Sequence, residues 1–394
     1  MATRAMRILF LTPRPPWPIR RGDQVRAARL IAELARRHEV RVVTLRPPGF
    51  PPCAWPPGVS GHEVRQGWFH ALAGLLSHLD QPIQVGLHNR PAFHRRVRRL
   101  TAEFRPEVAV VVLSRLGAAL PALGATPVLL DLIDSLELNL ANRAARQPLL
   151  GPLLRWEARR IGRWDSALIC RAAHAVVISE RDRSAILDRD PELEDRLSVL
   201  PAAVPVAEQP PDASPRHEVV ILPGNLGYFP TVDGALWYAR EVWPRLRSLR
   251  PTAEWWLAGA RPARALRRLA LLPGVRLLAD PPDLARLIRG AAVAIAPLLA
   301  GSGTPNKVLE AMAEGTPVVT TPAGAEGLAT AGRDAFRVAG DGPGFARAVA
   351  DLLANPEAAR AQATVAWQYL LSRHALPIVA AELEAILERI ARRP

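Results

Sequence analysis

One position stands apart chemically. Lys307 is the single lysine among 51 basic residues, the other 50 being arginine. Such a composition treats the two as exchangeable over most of the surface. They are not exchangeable where a compact ammonium must meet a phosphate without the width of a guanidinium fork. Lys307 lies in Gly301-Ser302-Gly303-Thr304-Pro305-Asn306-Lys307-Val308-Leu309-Glu310. Gly301 and Gly303 permit sharp turns and close backbone approach. Thr304 reads as an N-cap and Pro305 as the first helical residue. Lys307 is then the third helical position, where the macrodipole is already positive and a cation is unfavourable unless an anion is bound. Free N–H groups at a helix start, together with a lysine, describe a phosphate site. Glu310 and Glu314 follow Lys307 at helical spacings of three and four, so the three can share a face. Two readings fit this pattern. One is a solvated Lys–Glu pair on a helix surface. The other places Lys307 and the loop amides on a diphosphate, with Glu310 accepting two hydrogen bonds from a ribose diol. The dipole argument favours the second.

Two further loops have the same grammar. Pro13 to Asp23 follows a first apolar strand and opens a helix from Gln24. Gly22 there lets an amide approach a phosphate, Arg20 or Arg21 can bind one, and Asp23 reads as the N-cap. Pro223-Gly224-Asn225-Leu226-Gly227-Tyr228-Phe229-Pro230 occupies the equivalent place in the second half. Asp131 and Asp134 are three apart and mark a strand end rather than an Asp-x-Asp metal site, so no metal is expected.

The elements that must position these loops alternate. Ile8–Thr12, Glu39–Leu45, Val108–Leu113, Val128–Leu132 and Ala175–Ser179 read as strands. Gln24–Arg37, Leu149–Arg171 and Glu180–Asp188 read as helices. A proline-rich stretch, 201–217, separates this half from a second alternation. Its strands are Val219–Leu222, Trp255–Ala258, Val275–Leu278, Ala292–Leu298 and Val318–Thr321, and Val232–Leu249 is a helix. Val308, Leu309, Ala311 and Met312 give the 301–319 unit an apolar helical stripe that Gly315 and Pro317 stop. Ile378–Arg393 is a last amphipathic helix. The fold expected is α/β, two doubly wound domains facing across a cleft: residues 1–200, a linker at 201–217, residues 218–377, and a final helix at 378–394.

Composition narrows the function classes. Two cysteines, Cys53 and Cys170, form no disulfide framework and suit a reducing compartment. The apolar run Ile8–Thr12 is too short for a signal peptide, and no stretch of about 18 apolar residues is present. The net charge of +14 is uneven. Residues 1–100 hold 17 arginines against 5 acids, whereas residues 201–394 hold 21 bases against 18. Arg95, Arg96, Arg98 and Arg99 read as a basic helix with a few apolar anchors, suited to an anionic membrane surface. A solvated helix fits the charge alone equally well. Nucleic acid is the rival partner, but no motif for it is present and tyrosine (3) and phenylalanine (8) are few.

The segment 301–319, with Gly324-Ala325-Glu326-Gly327-Leu328 after it, resembles the donor-site signature of family 4 glycosyltransferases with the GT-B fold. It is most similar to bacterial exopolysaccharide sugar transferases, including the branch associated with PEP-CTERM and exosortase systems. Gly224–Asp233, Trp237–Pro244 and Ala175–Asp182 fit the same branch. The resemblance spans nearly the whole chain and is most specific at 301–319. It implies two Rossmann-like domains, the first for the acceptor and the second for a nucleotide-sugar, with the last helix crossing back to pack on the first. It implies Glu310 on the ribose, Gly301, Ser302, Gly303, Thr304 and Asn306 around the diphosphate and sugar, Gly224 and Asn225 in the donor loop, and Gly22 on the diphosphate. It also implies retention of anomeric configuration. The chain departs from the family where Ser302 replaces the first glutamate of a Glu-x7-Glu pair, and where no arginine–lysine pair follows the second domain's first strand. Lys307, Arg20 and Arg21 are then the phosphate candidates. Ser114 and Arg115 stand where many members carry a histidine, and the catalytic base is not named, Asp23 and Ser302 being candidates. The expected protein is a cytoplasmic enzyme, peripheral on the inner membrane, that moves a sugar from a nucleotide-sugar to a lipid-linked or oligosaccharide acceptor in envelope or exopolysaccharide synthesis. It needs no cofactor and no nucleic acid. The alternative is a non-catalytic GT-B protein that binds a sugar nucleotide or polysaccharide.

Overall fold

A computed structural model describes residues 4–19, 22–211, 218–299, 304–328 and 334–392. The chain divides into two compact units, Met1–Ala203 with Leu376–Pro394, and Val204–Ala375. The final helix thus belongs to the first unit.

The first unit is built on seven parallel strands: β1 (Arg7–Thr12), β2 (Glu39–Arg46), β3 (Val59–Arg65), β4 (Val108–Val112), β5 (Val128–Ile133), β6 (His174–Val177) and β7 (Leu197–Val199). They are ordered β3-β2-β1-β4-β5-β6-β7. The strands are near-continuous apolar runs because helices cover both faces. The period of two divides them cleanly. Ile8, Phe10, Val40, Val42 and Val110 pack beneath helix Gly22–Leu34 and the final helix, Leu376–Ala391, whose Val379, Leu383, Leu387 and Ile390 complete that core. Leu9, Leu11, Val43, Val111 and Leu130 face the opposite way, onto Phe93, Val97, Leu100 and Phe104 of helix Pro91–Phe104. The final helix is further held by Glu384, which accepts from His38 Nε2 at 2.9 Å and pairs with Arg37 at 3.2 Å. His38 Nδ1 in turn accepts the Met6 backbone N–H at 3.2 Å.

The second unit repeats the plan with six parallel strands: β8 (Val219–Asn225), β9 (Glu254–Ala260), β10 (Val275–Ala279), β11 (Val293–Ala296), β12 (Val318–Thr320) and β13 (Arg337–Val338), ordered β10-β9-β8-β11-β12-β13. Trp255, Tyr238 and Phe345 are fully buried in its core, and the Tyr238 ring lies 4.7 Å from that of Trp255. The single helix expected over Val232–Leu249 is a run of Phe229–Trp237, a π-helical turn at Tyr238–Val242, and Trp243–Leu249. The final helix begins at Leu376, two residues before the expected 378.

Candidate active site

The carboxyl ends of β8 and β9 form the base of the site in the second unit. Gly224 and Gly259 are register partners there, both at positive φ, +113° and +150°. A Cβ on Gly259 would stand 1.7 Å from the Gly224 carbonyl oxygen, so that approach requires glycine. Beyond Gly224 the chain turns through Asn225, whose Oδ1 accepts the Gly227 N–H at 3.1 Å, and enters helix Phe229–Trp237.

Lys307 lies across this turn. Its Cβ and Cε are 3.9 Å from the position of a Gly224 Cβ, and Nζ donates to Thr231 Oγ1 at 2.8 Å. Thr231 is only 2% exposed and sits in the first turn of helix Phe229–Trp237. Lys307 itself sits in the first turn of helix Asn306–Ala313. One ammonium is therefore held between two helix N-termini, each of which already presents positive potential. Burial pushes its pKa down to about 8, and the nearby Glu310 carboxylate pulls the other way. The residue keeps part of its surface in solvent, which tempers that fall. A partly desolvated cation held at two helix N-termini is a fit for a diphosphate.

Thr304 is not the N-cap. That position is Pro305, and Thr304 Oγ1 donates instead to the Gly327 carbonyl at 2.6 Å. Lys307 is consequently the second helical residue rather than the third, still within the positive first turn. The hydroxyl ties the helix entry to the segment after β12, where Thr321 caps helix Pro322–Ala325 through the Gly324 N–H. Helix Asn306–Ala313 does stop at Gly315, at φ +72°, with the Gly315 and Thr316 N–H groups returning to the Met312 and Ala311 carbonyls. Gly224, Asn225, Thr304, Asn306, Lys307 and Glu310 thus cluster in one unit. Gly301, Ser302 and Gly303 lie outside the described residues. Two partners escaped the sequence reading: Thr231, 76 positions from Lys307, and Gly259, visible only as a glycine ending an apolar run.

In the first unit, Arg20 and Arg21 also lie outside the described residues. Gly22 is the first residue of helix Gly22–Leu34, so Asp23 is inside the helix and not its N-cap. Its carboxylate pairs with buried Arg14 at 3.1 Å. Gln24 donates to the Pro15 and Pro18 carbonyls and braces the loop. Asp131 is consumed by a buried pair with Arg26 at 2.8 Å, and Arg26 also donates to the Pro201 carbonyl. Ser114 follows β4 and lies near Asp165, an acid missed in the sequence because it sits mid-helix in Gly151–Arg171. Burial raises the Asp165 carboxyl to about 7, against the opposing influence of Ser114. His88 is pushed down to about 4 by burial and by Arg115. Among the described residues no cluster of three His, Cys, Asp or Glu is placed to hold a metal ion.

Two family models match the chain, "Glycosyl transferase 4-like domain" over residues 21–203 and "Glycosyl transferases group 1" over residues 217–355. The two parallel-sheet units match GT-B structures, which defines the class. Within that class the chain is a GT4-like glycosyltransferase. It is similar to sucrose-phosphate synthase from Thermosynechococcus elongatus at 15% identity and a TM-score of 0.75, with 98% of this chain and 99% of that one covered. It is similar to Anabaena Alr3699/HepE, solved with UDP, at 14% identity and a TM-score of 0.67, with 98% and 100% covered. It is also similar to an α,α-trehalose-phosphate synthase (UDP-forming) from Burkholderia xenovorans, solved with glucose-6-phosphate, at 13% identity and 0.67, with 97% and 100% covered. None of the curated proteins compared with the chain matches it.

Proposed function

We propose that this glycosyltransferase takes its sugar from a nucleoside-diphosphate sugar and passes it, with retention and without a metal, to a lipid-linked saccharide during exopolysaccharide or envelope glycan synthesis. The observation that carries the donor half is Lys307, held between two helix N-termini with Glu310 one turn behind it. Departure of the nucleoside diphosphate develops negative charge on a phosphate oxygen. A fixed ammonium and oriented N–H groups stabilise it without reorganisation, and loss of one such donor typically costs roughly 100-fold in rate. Glu310 is the ribose partner in this reading, and Gly301, Ser302 and Gly303 complete the loop. UDP in Alr3699/HepE and glucose-6-phosphate in the trehalose-phosphate synthase support a nucleotide donor and a saccharide acceptor.

The acceptor half rests on the first unit. No described helix is long and apolar enough to cross a membrane, while Arg95, Arg98 and Arg99 are exposed on helix Pro91–Phe104. We place the enzyme on the cytoplasmic face of an anionic membrane through that surface. A screen of UDP-, GDP- and ADP-sugars for thermal stabilisation, followed by transfer to lipid extract with and without EDTA, tests the whole reading. One donor should raise the melting temperature and support EDTA-resistant transfer into lipid. Stabilisation by none, or transfer restored only by added divalent cation, contradicts it.

A further inference from the structure

Basic charge alone is a weak anchor, and the structure carries an apolar one beside it. Helix Trp68–Ser77 contains no charged residue, and the stretch Gln66–Leu79 contains none either. In a soluble protein such a helix would be buried. Here only Gly74 is buried, pressed against the Gly86 and Asn89 carbonyls, where a Cβ would meet both at under 3.0 Å. Glycine at 74 lets the helix lie close on the protein while its other face stays out. That face presents Trp68 at 76% exposure, Phe69 at 88%, Leu72 and Leu76, on one stripe at spacings of three and four. Exposed Leu79 extends it.

The surroundings of this stripe indicate what covers it. His78, at the C-cap of the helix, lies near enough to His94 of helix Pro91–Phe104 to add to the lowering of its pKa by burial, and that helix carries Arg95, Arg98 and Arg99 on its exposed side. On the other flank Arg160 donates to the Leu79 and Gln81 carbonyls and stacks 4.3 Å over the Trp156 ring, which is itself exposed beside Leu153. Aromatic and aliphatic side chains rimmed by arginines are complementary to an anionic bilayer, whose headgroups take the charge and whose acyl boundary takes the rings. The acids nearest helix Trp68–Ser77 in sequence are Glu63, which is paired with Arg46, and Asp80, while Glu103 of the basic helix is paired with Arg99.

Resting on the membrane reading above, we propose that helix Trp68–Ser77 lies in the plane of an anionic bilayer and inserts Trp68, Phe69, Leu72 and Leu76 between the lipids, the arginines of helix Pro91–Phe104 gripping the headgroups. The full-length protein is floated with vesicles of phosphatidylcholine alone and with 30% phosphatidylglycerol (about that fraction suffices for a strong surface potential). Binding should need the anionic lipid. Trp68→Ser/Phe69→Ser should weaken it about tenfold or more, as expected when two large apolar side chains leave the interface. Arg95→Glu/Arg98→Glu should abolish it at low salt. Trp68→Phe keeps the apolar surface and should still bind. Subtracting its emission from wild type should isolate a Trp68 signal that brominated phospholipids quench. If wild type floats with neither vesicle, the membrane reading falls and this proposal with it. If wild type floats but the double serine variant floats equally, or the Trp68 signal is not quenched, only insertion is overturned and the contact is electrostatic. A dimer in solution that the serine variant dissociates, without any quenching, gives the face to a second copy of the chain instead.

Discussion

Lys307 is where composition, local structure and electrostatics converge. A cation at the second position of one helix, bonded to a threonine in the first turn of another, is in a poor place for an isolated protein. Burial adds to that by pushing its pKa down to about 8, against the pull of Glu310. Asp165 shows the opposite case, a carboxyl raised to about 7 by burial with Asp134 adding to the rise. A folded-state pKa above the unfolded one means that stability is fullest below about pH 4 and is lost as pH rises through 7. Asp165→Asn should therefore stabilise the protein at pH 8, by at most a few kcal/mol on the order of 1.4 per pKa unit, with the gain vanishing toward pH 4. Chemical denaturation of both proteins at the two pH values measures it, and a pH-independent difference would place the cost elsewhere. Lys307 was legible because its rarity is a property of the whole composition. Asp165 was not, since a lone acid in an arginine-rich helix reads as solvated until the burying partners are seen.

Among the elements, the buried strands were the most legible. β1, β4, β5 and β11 are near-continuous apolar runs, β5 interrupted only by the ion-paired Asp131, and their burial on both faces leaves one assignment. The polar edge strand β3 and the two- and three-residue strands β13 and β7 carry too little pattern. Helix Trp68–Ser77 escaped because no charged face marks its period. The Thr304 cap failed for a tertiary reason, the Gly327 carbonyl 23 residues away claiming the hydroxyl. The close approach of β8 to β9 belongs at this scale too. Gly259→Ala places a methyl on the Gly224 carbonyl and forces a φ of +150° on a side-chain residue. The strands must part at the end that positions Lys307, so the change should cost roughly 3 kcal/mol or more and reduce nucleotide binding together. Urea unfolding decides it, and a loss under about 0.5 kcal/mol would show that the pair can relax.

For the whole molecule, both parallel sheets and the return of the last helix to the first unit were legible from the alternation of elements and the family resemblance. The basic excess of the first hundred residues resolves into two populations. Arg14, Arg26 and Arg46 are spent internally on Asp23, Asp131 and Glu63, while Arg95 and Arg98 remain exposed beside the apolar helix. In the function proposed above, the first unit serves a membrane surface and the second an anion. The anion claim is the central one, and calorimetry of UDP, GDP and ADP binding to wild type, Lys307→Ala and Lys307→Arg tests it most directly. A bound diphosphate should raise the lysine pKa, so binding should weaken as pH passes about 8 and take up a proton there. Lys307→Ala should bind about tenfold or more weakly with that pH dependence gone, and Lys307→Arg should recover only part of the affinity. Equal affinity in wild type and Lys307→Ala, with the same pH profile, would return Lys307 to a surface ion pair and contradict the account.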